Sequence, residues 1–140
     1  LMEFRYVLDP YCTELFTERA TEEEIQELEK SYYNMLKHNN DEKKDYYSNQ
    51  FHRIIALGSK NKFIIKIMDY LNENMFSHQQ LLSKGDYKKN VQIGLTYHYK
   101  ILQAIKERDK EMAGIYCRYH IRLGMDVYRS SLKKNKETKA

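Results

Sequence analysis

The chain has 140 residues, the size of one domain with room for a buried core, and its 24 Lys and Arg against 20 Asp and Glu leave a net charge of +4. Much of that excess sits in the closing KKNKETKA (133–140), so the remainder is nearly balanced and offers no clustered basic face for nucleic acid. No run approaches the roughly 18 apolar residues of a membrane span, and the opening LMEFRYVLDP lacks the layout of a signal peptide; a soluble, cytoplasmic protein is expected.

One Pro, five Gly, apolar residues at 3.6-residue spacing and no alternating pattern predict an all-α protein. The first helix runs from Met2 to about Arg19, with a kink or restart at Pro10. Thr21 and Glu24 form a capping box, predicting a second helix over about 22–38 that ends before the polar break HNNDEKK. A third helix spans about Asp41 to Leu57 and stops at Gly58; Asn61 caps a fourth that reaches about Leu82. The stretch SKGD (83–86) reads as a turn, a fifth helix follows to about Glu107, and Asp109 or a neighbour restarts the chain. The last helix extends to about Leu132, leaving 133–140 as a charged, flexible tail. Short connections between helices of this length predict one domain over 1–132, an antiparallel bundle of about six helices.

Cys12 and Cys117 form no CxxC pair, which argues against a disulfide framework or a thiolate zinc site and for two small buried residues. The histidines are more informative. His98 shares a helical stripe with Val91, Gly94, Leu95, Ile101, Leu102 and Ile105. His120 is placed similarly, with Ala113, Tyr116, Cys117, Leu123, Gly124 and Val127 on its face. His52, in SNQFHRIIALGSKN (48–61), stands at an apolar-to-polar boundary. A buried imidazole without a partner costs about 1–3 kcal/mol, so each needs a hydrogen bond, a ligand or a metal. Singly, each reads as a satisfied core residue; on three helices of one small bundle, a shared pocket is an equal alternative. His38 is expected to be solvated, and His78 is ambiguous.

Three segments, in order, resemble the FadR-type ligand-sensing domain (FCD) of the GntR-family transcription regulators. They are EFRYVLDPYCTELFTERAT (3–21), QFHRIIALGSKN (50–61) and HYKILQAIKERDKEMAGIYCRYHI (98–121), the last the most specific. The resemblance implies a helical bundle around a central cavity where a carboxylate and three histidines surround a bound divalent metal, often zinc or nickel, that helps hold a small organic acid. By matching position the histidine ligands would be His52, His98 and His120. Neutral imidazoles suit such ions, and an open coordination position accepts a carboxylate.

The family's carboxylate stands four residues before His52, where this chain has Ser48, a neutral hydroxyl. Asp45 lies about 10 Å back along the helix at 1.5 Å per residue, and Asn49 is turned off the face by about 100°. Arg5 matches a family arginine that points into the cavity and could pair with a ligand carboxylate; a surface pairing with Glu3 or Asp9 is the alternative. Ser48, Asn49, Tyr97 and Tyr116 are the other candidate cavity residues. The function implied is effector sensing and homodimerisation in a bacterial transcription regulator, with DNA held by an N-terminal winged helix that no segment here resembles. The alternatives are a metal-free ligand sensor and a metal-dependent helical-bundle enzyme; no general base stands beside His52, so no catalytic residue is assigned.

Overall fold

The computed structural model describes residues 1–40, 43–79 and 84–139, with residues 76–79 and 84 as backbone. Six helices follow one another in the chain: α1 (Met2–Arg19), α2 (Glu22–Lys37), α3 (Lys43–Gly58), α4 (Lys62–Gln79), α5 (Lys84–Lys106) and α6 (Lys110–Lys139). No strand occurs among the described residues, and the fold is an all-α bundle.

Local signals account for most helix ends. The Thr21 hydroxyl accepts from Glu24 N–H at 3.2 Å while the Glu24 carboxylate accepts from Thr21 N–H at 3.1 Å, the reciprocal capping box that opens α2. Asn61 Oδ1 accepts from Phe63 and Ile64 N–H at the start of α4, and Asp109 Oδ1 accepts from Met112 N–H at the start of α6. Helix α1 continues through Pro10, which is buried, so the proline does not split the element.

Helix α3 stops at Gly58 as expected, with a different turn beyond it, and two other boundaries move. Gly58 is the last residue of α3 with an ordinary backbone; the left-handed turn falls on Lys60, at φ 60°. Gly58 serves packing instead, because the Phe16 ring lies where a Cβ would stand. Gly85 and Asp86 belong to the first turn of α5 rather than to a loop; Asp41, Leu82 and Ser83, expected at helix ends, lie outside the described residues. Helix α6 runs on past Leu132 to Lys139. Lys and Glu in that stretch are good helix formers, and Lys134 Nζ reaches Asp86 Oδ1 at 3.1 Å, tying the extension to the start of α5.

Helix α6 packs along both α1 and α5, α2 packs along α3, and α3 also meets α1 and α4. Only residues 107–109 join α5 to α6, so these neighbours run antiparallel. The core includes Phe16, Leu28, Met35, Phe51, Met68, Ile101, Leu102 and Ile105. Through it runs a polar line on α1, Arg5, Asp9, Thr13 and Thr17, at four-residue spacing. Each threonine hydroxyl donates to the carbonyl one turn back, at 2.8 and 2.7 Å, so neither is buried unsatisfied.

Candidate functional site

Helices α3, α5 and α6 each send one imidazole to a common point beside this polar line. His52 and His98 are buried and His120 is partly so. One ring nitrogen from each lies within 4.8 Å of those of the other two. His52 Nε2 and His98 Nε2 are 3.0 Å apart, and the His52 and His120 rings stack with centroids 5.6 Å apart. His98 Nδ1 sits 3.2 Å from the Met35 sulfur. A thioether can only accept, so Nδ1 carries the hydrogen of His98 and Nε2 keeps its lone pair. His120 Nδ1 is buried with no hydrogen-bond partner.

The electrostatics favour neutral rings. Burial first, then the Arg5 charge and the neighbouring imidazoles, hold His52 well below the usual histidine range. His98 is lowered in the same way by burial, His120, Arg5 and Lys44. His120 is pushed down to about 3 by burial and by Arg5. Neutral imidazoles with free lone pairs are the form that ligates metals.

Arg5 is buried rather than on the surface, and its Nε and Nη2 donate to Asp9 Oδ2 at 3.0 and 2.8 Å. Burial raises the Asp9 carboxyl from its ordinary value while Arg5 pulls it back. The same Asp9 oxygen lies 3.7 Å from His52 Nδ1.

A cavity of about 70 Å³ opens beside the imidazoles, room for several waters or a compact small molecule. Arg5, Ser48, Asn49 and the three histidines all line it. Tyr97 and Tyr116 do not: they sit by the Lys100 ammonium, which lies 5.2 and 5.7 Å from their ring centres. His38 is half-buried and stacks on Tyr47 at 5.1 Å, because the end of α2 lies over α3, so the solvated position expected for it is corrected. The His78 side chain lies outside the described residues.

Sequence reasoning missed Lys44, Met35 and Gly94 as cavity residues. Lys44 is buried with its ammonium 4.4 Å from the centre of the Tyr87 ring and 3.6 Å from Asp45 Oδ1. Asp45 itself accepts from the Tyr87 hydroxyl through both oxygens at 3.0 Å, so it is engaged away from the histidines. Within the run KKD no pattern distinguishes a buried lysine from a solvated one. Gly94 could have been suspected, one turn before His98: a Cβ there would stand 3.9 Å from the His98 ring and 4.0 Å from His120.

The donor set suits a divalent ion. Zinc–nitrogen bonds of about 2.0–2.1 Å in tetrahedral geometry place ligand nitrogens roughly 3.4 Å apart, so the His52–His98 pair needs only a small adjustment. His120 also carries an unmet polar requirement, at its unpartnered Nδ1. The three histidines could form a metal site; no carboxylate joins their cluster among the described residues.

Residues 1–123 match the FCD domain family. Among solved structures, the GntR protein of Streptococcus agalactiae is similar, with a TM-score of 0.76 and 26% sequence identity over 92% of this chain. The chain spans 56% of that protein's length. No curated protein matches the sequence.

Proposed function

This chain belongs to the FCD domain family, and from that premise we propose that it is the effector-sensing domain of a bacterial GntR-type transcription regulator. The effector would be a small organic acid held in the cavity beside a divalent ion, zinc or nickel, on His52, His98 and His120. One observation carries the reading: three imidazoles from three helices converge on a cavity whose other charged lining groups among the described residues, Arg5 and Lys44, are both cations. Among the described residues the lining holds cations and no carboxylate, which favours an anion. A bound ion would offer an open coordination position to an oxygen of the acid. Ser48 and Asn49 supply neutral hydrogen-bonding groups at the wall.

Binding would regulate by differential affinity. A metabolite that fits one arrangement of the helices better shifts the population toward it, and tenfold in operator affinity needs only about 1.4 kcal/mol of coupling. DNA would be held by a winged helix outside the present residues, in a homodimer. Two exposed stripes support pairing between copies: Phe4, Val7 and Tyr11 on α1, and Phe63, Ile67 and Tyr70 on α4. Catalysis is disfavoured, because Asp9, the carboxylate near His52 among the described residues, is paired with Arg5 rather than free as a base.

A metal-free sensor is the second reading, favoured by the 3.0 Å Nε2–Nε2 contact through which His52 and His98 satisfy each other. Elemental analysis of metal per chain, on protein purified without an affinity tag or chelator, separates the two. Near one zinc or nickel, absent when all three histidines are replaced by alanine, is the expected result. No metal even after added zinc and nickel would leave the imidazoles as hydrogen-bonding groups for an organic ligand.

A further inference from the structure

Pairing with Arg5 does not complete the hydrogen bonding of Asp9. Both Arg5 donors go to Oδ2, and the buried Oδ1 has no partner. Oδ2 also faces His52 Nδ1 at 3.7 Å, on the edge of the ring remote from His98. A buried carboxylate that lacks donors is costly, so the hydrogen on His52 matters to Asp9.

Neighbours decide where that hydrogen sits. The Met35 sulfur leaves a lone pair on His98 Nε2. His52 Nε2, 3.0 Å from that lone pair, must then carry the hydrogen for the contact to attract. A neutral imidazole has only one N–H, so His52 Nδ1 turns a lone pair toward Asp9. The metal-free cluster thus satisfies one end of His52 and leaves Asp9 Oδ2, at the other end, with donors from Arg5 alone. With Nε2 committed to a cation the preference reverses: the hydrogen belongs on Nδ1, where Asp9 can accept it. The ring stays neutral throughout, one proton leaving Nε2 for water as another is taken from water at Nδ1.

Resting on the reading that the three histidines hold a divalent ion, we propose that Asp9 is the positioning carboxylate of that site. It accepts from His52 Nδ1–H in the loaded state and supplies from α1 the negative charge that Ser48 does not supply from α3. Carboxylates in this outer position raise the basicity of the ligating nitrogen and fix its ring, and their loss typically weakens metal binding about 10–100-fold.

Long-range 1H–15N correlation spectra of histidine-labelled protein, with and without one equivalent of zinc, report the tautomer of each ring. The expected result is His52 as the Nε2–H form without zinc and as the Nδ1–H form, ligating through Nε2, with it. Asp9→Asn, checked for folding by circular dichroism, should lose about 10–100-fold in zinc affinity against a chromophoric chelator, and Asp9→Glu should recover part of it. A His52 that keeps its Nε2 hydrogen while His98 and His120 respond to zinc overturns the role of Asp9 but leaves the metal site standing. A folded Asp9→Asn with unaltered affinity does the same. If that variant fails to fold because Arg5 is left unpaired, the spectra of the unaltered chain still decide. No response from any of the three rings removes the metal reading, and the role of Asp9 with it.

Discussion

Ser48 lines the cavity one helical turn before His52, so an acid placed there would share its face. Ser48→Asp is expected to tighten zinc binding about tenfold, equivalent to about 1.4 kcal/mol, in a competition titration. Unaltered affinity would mean that the α3 backbone does not bring position 48 to the ion. The buried imidazoles also set a pH dependence for the metal-free domain. In the unfolded chain each takes a proton near pH 6.5, whereas folded His120 holds off to about 3 and His52 and His98 are lowered in the same direction. Between those limits the unfolded state binds more protons, so stability is full above about pH 6.5 and is lost as the pH falls. The slope is about 1.4 kcal/mol per pH unit for each imidazole. Asp9, whose raised value lets the folded state take up a proton in acid, opposes this by at most one proton. Urea midpoints at pH 7.5, 6.0 and 5.0 should therefore fall steadily; a flat profile would mean that the folded cluster accepts protons readily.

Among the elements, α1 departs furthest from simple amphipathicity. It buries Arg5, Asp9, Thr13 and Thr17 beside Cys12, Leu15 and Phe16, and each polar group is satisfied within the helix except Asp9 Oδ1. Such a helix is stable only when surrounded, and α3 and α6 surround it. The end of α3 shows how closely the helices approach. Phe16 is fully buried against Gly58 and cannot move aside for a methyl group. Gly58→Ala should destabilise by about 1–3 kcal/mol in chemical denaturation, although alanine is the better helix former. No loss would indicate that α1 and α3 can slide apart at that point. The turns beyond the helices need no glycine. Lys60 and Arg108 take positive φ of 60° and 57°, and Arg108 offsets its strain by donating to the carbonyls of Thr17 and Ala20 at 3.1 and 2.8 Å.

At the level of the whole molecule, apolar stripes on α1 and α4 stand exposed on the surface, with Phe63 81% exposed. A homodimer through them would cover side chains that otherwise meet water. Sedimentation is expected to show a dimer at micromolar concentration, and Phe63→Lys combined with Tyr70→Lys should shift it to monomer without loss of helicity. A dimer unaffected by both substitutions would place the interface on another face. The helices, their caps at Thr21, Asn61 and Asp109, and the inward stripes of His98 and His120 were legible in the sequence because they depend on spacing within one element. The family, too, was legible, in three ordered segments. Charged runs were not: KKD hides a buried Lys44 and KKNKETK a continued helix, because burial and end contacts depend on what packs alongside. Nor did any local pattern show that Asp9 would reach His52 from 43 residues away, that a methionine sulfur would orient His98, or that Tyr97 and Tyr116 would face Lys100 instead of the cavity. The sequence by itself determined which faces are apolar and which residues could ligate; only the crossing of four helices decided which of them meet, since hydrogen bonds and ligand geometry are set by ångström-scale positions that no single helix specifies.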